Sequence, residues 1–323
     1  MKTKKLQFFC TMAILAIYIA GCGPSANKTK QDSGELQGTI SISGAFALYP
    51  MTVKWAEEFM KINPNVRIDI SAGGAGKGMM DALSGMVDLG MVSREITQAE
   101  IDKGAWYIAV TKDAVMPTIS SENPVLKDLQ AKGFTREIFQ EIILTENAHT
   151  WGEFIDVPNT DKINVYTRSD ACGAAEMWGK FLGKNQESLF GVGVFGDPGE
   201  ADAVKNDKYS IGYNNVNYAF DLKTRKNYPG MLILPIDMNG NRVIDPEENF
   251  YHNLDSVVLA IQTGRYPSPP ARDLYFVANG KPAKPEVLAF LDWILTNGQQ
   301  YVHEAGYVQL LEDKIASEKL KLQ

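Results

Sequence analysis

Cysteine and histidine are both scarce: the 323-residue chain holds three of each. Cys10 falls inside an N-terminal apolar run and Cys22 at its end, so Cys172 is the sole cysteine of the body and no internal disulfide can staple it. His149, His252 and His303 have neither metal-ligand spacing nor the spacing of a nucleophile–base pair. Basic charge is short as well. Lys and Arg number 32 against 39 Asp and Glu, a formal charge of −7. Lys2, Lys4 and Lys5 are the only charges before Cys22, so from Cys22 onward 29 basic residues face 39 acidic ones, or −10. Such a body offers no broad basic face to nucleic acid or to an anionic membrane. It can still hold a small anion, because a few local N–H groups and one arginine outweigh a diffuse distant field. No apolar run after the N-terminus approaches the roughly 20 residues of a membrane span.

What is present is ordinary globular composition, 45% hydrophobic and 22% charged, in a length that suits about two domains. Residues 1–21, MKTKKLQFFCTMAILAIYIAG, read as a lipoprotein signal peptide. A Lys-rich start precedes an apolar run too short to span a membrane, and Ile19-Ala20-Gly21-Cys22 resembles a bacterial lipobox. Cys22 is then the lipidated N-terminus and the only link to the membrane. Residues 22–36 are small and polar, a flexible tether.

From Leu36 the pattern is α/β. LQGTISIS alternates as a strand, and Pro50-Met51 opens a helix with Met51, Trp55, Phe59 and Ile62 at helical spacing. Val66–Ile70 is a second strand, a glycine-rich turn leads to a short helix, and Val87–Met91 is a third strand. Three strands with interleaved helices point to a parallel sheet covered by helices. Met79, Met80 and Met86 are read as core packing.

The chemistry falls at three strand-to-helix turns: Ala45-Phe46-Ala47, Gly74-Ala75-Gly76, and Arg168-Ser169 through Cys172-Gly173-Ala174. Each offers unpaired N–H groups at the positive end of a helix, which suits an anion. Ser93, Arg94 and Arg168 can add a hydroxyl and bidentate contacts. The glycine turn is not a nucleotide phosphate loop, since Lys77 is followed by Gly78 and not by Ser or Thr. Residues 237–248 have the oxygen spacing of a calcium loop: Asp237, Asn239, Asn241, the carbonyl of Val243, Asp245 and Glu248, although Arg242 stands where glycine is usual. Calcium is therefore the one cofactor candidate, and no cofactor is required.

Residues 44–97 (GAFALYP through VDLGMVSREIT), 168–178 (RSDACGAAEMW) and 275–310 (YFVANGKP through HEAGYVQL) resemble the PstS-like phosphate-binding proteins of bacterial phosphate ABC transporters. The resemblance implies an α/β, two-lobed type II periplasmic-binding-protein fold, each lobe a mostly parallel sheet flanked by helices. Lobe 1 is expected at 37–115 plus 255–323 and lobe 2 at 116–254. It further implies a monomeric extracytoplasmic lipoprotein, periplasmic or on the extracellular face, that captures phosphate or a related oxyanion for an ABC permease without catalysis. The family carries hydroxyls at the first turn, serine at position 75, and Ser-Gly-Thr at 172–174. Ala45, Ala47, Ala75, Cys172 and Ala174 lack them, at about 1–3 kcal/mol for each unsatisfied lone pair of a buried anion. Two other functions fit the same residues. One is a surface lipoprotein on this scaffold that has lost phosphate and acts as a sensor or interaction module. The other is a hydrolase using Cys172 at a helix N-terminus.

Cys22→Ala is expected to abolish lipidation, because that residue supplies both the thioether and the cleavage point. Labelling with a fatty acid checks this, and label on the variant would refute it.

Overall fold

The computed structural model describes residues 35–323, so the signal peptide, Cys22 and nearly all of the tether lie outside the described residues. Nine strands are formed: β1 (Gly38–Gly44), β2 (Val66–Ala72), β3 (Leu89–Val92), β4 (Ala105–Ser120), β5 (Asn164–Arg168), β6 (Val192–Val194), β7 (Ser210–Asn215), β8 (Met231–Ile233) and β9 (Ala271–Asn279). Their spatial order is β2-β1-β3-β9-β4-β7-β5-β6, with β8 also beside β4. At one end β1 pairs in parallel with β2 and β3. At the other β5 pairs in parallel with β6 and β7. Between them β9 pairs antiparallel with β3 and with β4, and β4 pairs antiparallel with β7 and β8. Two mostly parallel lobes are thus joined by antiparallel crossover strands.

The alternation seen in the sequence explains the first lobe. Ile40 and Ile42 of β1 are buried, and the helix Tyr49–Ile62 lays Met51, Trp55 and Phe59 over them while Ile62 ends it in solvent. Asn63 stops that helix by donating both its N–H and its side-chain amide to the Phe59 carbonyl. Trp55 is fixed further by its indole N–H on the Gly298 carbonyl, 2.9 Å away. Only Met79 of the three methionines packs in the core; Met80 and Met86 are exposed. The helix Ala75–Leu83 turns one face to the sheet, Met80 lies about 100° round from Met79, and Met86 follows the helix end.

Buried hydrophobics fall in two clusters. Ile108, Ala109 and Val110 of β4 and Leu274, Phe276 and Val277 of β9 belong to the first. Ala114, Val115, Met116 and Ile119 of β4 and Ala271 of β9 belong to the second. The seam therefore crosses β4 between 110 and 114 and β9 between 271 and 274. The expected boundary at 254/255 sits elsewhere: Leu254, Val257, Val258, Ala260 and Ile261 of the helix Leu254–Gln262 pack in the second cluster. An apolar helix joins whichever core its face reaches, and residue order does not reveal that. At the seam the β4–β9 register slips by one residue at Val110, whose carbonyl accepts the Gln299 amide at 2.9 Å. Thr111, Asp113 and Arg272 put polar groups at the same level, all buried.

A candidate anion site between the two lobes

The three turns identified in the sequence meet. The Gly76 N–H of the first lobe donates to the Ala171 carbonyl of the second at 3.1 Å. A Cβ on Gly173 would lie 2.1 Å from the Ser93 carbonyl oxygen, so only glycine admits this approach. The Phe46 ring centroid lies 5.8 Å from the guanidinium carbon of Arg168. Gly74, at φ 90°, and Gly73 both donate to the Gly44 carbonyl, which shapes the glycine turn around the end of β1.

Ala75 opens one helix and Gly173 and Ala174 open the helix Gly173–Phe181, and their three N–H groups have no protein acceptor. Ala45 donates instead to Met91, and the Ala47 carbonyl accepts the Tyr307 hydroxyl at 2.7 Å. Two expected residues are engaged elsewhere or exposed. Arg94 grips Glu100 with both arms of its fork, at 2.7 and 3.0 Å. Ser169 is exposed beside Gly193.

Arg168 is the charged centre, and its side chain is 1% exposed. Its Nε and Nη2 donate to the two Asp170 oxygens, and Nη1 donates to Asp197, each at 2.8 Å. Burial works against this charge, but Asp197, Cys172 and Asp170 outweigh it and hold the proton more firmly than usual. The chain of contacts continues. Asn215 donates to Asp197 and accepts from Arg272, whose Nε lies 3.2 Å from Asp113. Arg272 and Asp113 face each other across β9 and β4, so Arg168 is linked through Asp197 and Asn215 to the crossover strands. Burial pushes Asp113 up to about 7, with Arg272 opposing and Asp197 adding. Sequence reasoning missed Asp170, Asp197, Asn215, Arg272 and Asp113. Asp170 had a signal, two residues after Arg168 in the same turn; the other four come together only through the fold.

Cys172 caps its helix by accepting the Ala175 N–H at 3.4 Å. Burial pushes its thiol up to about 12, Arg168 opposing, which keeps it protonated. His149, His252 and His303 contact Glu153, Ser256 and Asp255, so none of the three histidines is paired with it. The 237–248 loop is closed by its own groups. Asp237 accepts from Gly240 and Arg242, Asn239 and Asn241 each accept from the N–H two residues on, and Glu248 accepts from Met238 and Asn239. Among the described residues no three His, Cys, Asp or Glu side chains converge on a metal-sized site.

This architecture, two α/β lobes on crossover strands with donor-bearing turns facing across the seam, is that of a two-lobed solute-binding protein. A family profile described as PBP superfamily domain matches residues 29–297, and the chain belongs to that family. It is 26% identical over 353 aligned positions to the phosphate-binding protein PstS of Methanocaldococcus jannaschii, covering 94% of this chain and 90% of that one. It is 27% identical to the phosphate-binding protein PstS of Pseudomonas aeruginosa, covering 99% of each. A substrate-binding protein from Clostridium perfringens solved with bound phosphate shares the fold, with a TM-score of 0.68 at 20% identity over 85% of this chain and all of that one. An ABC-type phosphate transport receptor from Vibrio cholerae does so at 0.59 and 18%, over 84% of this chain and all of that one.

Glu200, fully buried behind the Arg168–Asp197 pair, has a pH consequence. Its Oε1 accepts the Tyr213 N–H at 3.3 Å, and burial lifts its carboxyl from the ordinary 4.5 to about 8. The folded protein thus keeps a proton that the unfolded chain releases. This contribution to stability is complete below about pH 4.5 and is lost as pH rises toward about 8. Urea titrations of wild type and Glu200→Gln are expected to diverge, wild type losing stability more steeply over that range. Parallel curves would refute the assignment.

Proposed function

We propose that the protein is the extracytoplasmic solute-binding component of a phosphate ABC transporter, capturing phosphate or a close tetrahedral oxyanion between its lobes. The observation that carries this reading is the meeting, around one buried arginine, of unpaired N–H groups from helix starts on both lobes. The names of the relatives support phosphate, and the lipobox supports retention at the membrane through Cys22. The N–H groups of Ala75, Gly173 and Ala174 would donate to the anion at the positive ends of two helices. Arg168 supplies the local positive charge, which Asp170 and Asp197 hold in place. Closure of the lobes excludes water, reopening delivers the anion to the permease, and no covalent step is involved. A protonated thiol with no histidine paired to it disfavours the Cys172 hydrolase, and the retained donors disfavour a scaffold that has lost its ligand.

Two carboxylates against one guanidinium set the preferred ion. Asp170 and Asp197 leave a negative remainder beside Arg168, so an oxyanion that carries a proton to donate fits better than one without. Isothermal titration of the 36–323 body, a single compact unit, is expected to give heats with phosphate and arsenate and at least about tenfold weaker binding of sulfate. Arg168→Lys keeps the charge but loses the fork, and is expected to weaken phosphate at least about tenfold. Equal affinity for sulfate, or an unaffected Arg168→Lys protein, would move the site elsewhere.

We further propose calcium at residues 237–248. The donor set is all oxygen, the two end carboxylates Asp237 and Glu248 are buried, and Arg242 takes φ 66°, the left-handed turn for which glycine is usual. The same oxygens retain lone pairs beyond those that accept the loop's N–H groups. Calcium at 100-fold its dissociation constant is expected to add about 2.7 kcal/mol of stability. Identical thermal midpoints in calcium and in chelator would reject it.

A further inference from the structure

Phe46 is a bulky side chain at the meeting of the turns, and it stands in the turn where the related family carries hydroxyls. It leaves the first lobe at the end of β1 and reaches the second. Its ring meets Phe195 edge-on, with centroids 5.9 Å apart. It packs close enough to Gly196 that a Cβ there would be 3.1 Å from its Cζ. Its carbonyl accepts the Tyr218 hydroxyl at 3.4 Å. The ring also covers the guanidinium of Arg168 at 5.8 Å, a cation–π contact at a buried charge.

The arrangement closes Arg168 from two sides. Three of its N–H bonds along the guanidinium edge are spent on Asp170 and Asp197. The Phe46 ring lies over the carbon of the same group, its centroid 5.8 Å away. With Gly76 bonded directly to Ala171, the lobes touch where an anion would sit. An ion pair across the seam, Lys180 to Glu95 at 2.9 Å, is partly exposed and holds weakly.

We propose that Phe46 sets the affinity of the cleft: it is a built-in plug that holds the lobes shut over Arg168, and an incoming anion binds only by displacing it. This rests on the oxyanion function proposed above for the binding half, while the closure half stands on the contacts alone. A ligand that must first open a self-closed form sees its apparent affinity reduced by the open fraction. Removing the plug should open the free protein and tighten binding together. An aromatic residue that merely lined the site would, when removed, weaken binding and leave the free shape alone.

Three proteins separate these outcomes: wild type, Phe46→Ser, and Phe195→Ala, which removes the exposed half of the aromatic pair without touching Arg168. Small-angle scattering of the ligand-free proteins and titration with inorganic phosphate are the two measurements, with circular dichroism as a check on folding. The expected result is a larger radius of gyration for free Phe46→Ser, returned to the wild-type value by phosphate. Phosphate affinity should rise at least about fivefold in Phe46→Ser and by a smaller factor in Phe195→Ala. Expansion of free Phe46→Ser with no phosphate binding by any of the three proteins would keep the plug and reject the phosphate reading. Unchanged dimensions in both free variants, or weaker phosphate binding by Phe46→Ser, would overturn the proposal.

Discussion

The buried fork of Arg168 is the constraint on which the rest of the site depends. A guanidinium that is 1% exposed persists only with full compensation, because an unpaired buried charge costs several kcal/mol. Asp170 supplies that compensation locally, from the same turn. Asp197 supplies it from the next helix, and so ties the strand that carries Arg168 to the helix Gly196–Asn206. Asn215 and Arg272 extend the tie to the crossover strands. Replacing any member leaves a neighbour buried and unmet, so charge, lobe and hinge are fixed as one unit.

Around this centre the backbone does what side chains do elsewhere. Where hydroxyls would be expected, the turns have Ala45, Ala47, Ala75 and Ala174, and Cys172 uses its sulfur to cap a helix. Donors are accordingly N–H groups at helix starts, and glycine is required where the lobes approach: Gly173 against Ser93, Gly76 against Ala171. Such donors are rigid and cannot be lost by rotation of a side chain. They are also few, which makes the competing aromatic contact of Phe46 consequential. A site with fewer donors has less with which to displace a plug.

The comparison with solved proteins bears on fold more than on chemistry. Identities of 20% and 18% to the phosphate-associated structures establish the two-lobed architecture. Within it, this chain places Phe46 on its arginine and turns Arg94 away to Glu100. Arg94 stands next to Ser93, whose carbonyl lies against Gly173 of the other lobe. Glu100, in the capping box of the helix Gln98–Asp102, captures it locally instead.

Periodicity and punctuation determined the elements that bury one face. The helix Tyr49–Ile62, β1, β2 and the glycine turn were legible because their signals are local: a stripe of Met51, Trp55 and Phe59, a proline at the start, glycines where N–H groups must be exposed. The same locality made Arg168 and its turn stand out. Tertiary structure alone decided the rest. It joined Asp197, Asn215, Arg272 and Asp113, from 29 to 104 residues away from Arg168 in sequence, assigned the helix Leu254–Gln262 to the second core, and raised Asp113 and Glu200 by burial. Electrostatic compensation and desolvation act through space, so neither spacing nor composition carries them; a turn announces itself to its neighbours in sequence, but a buried charge finds its partner only once the chain has closed around it.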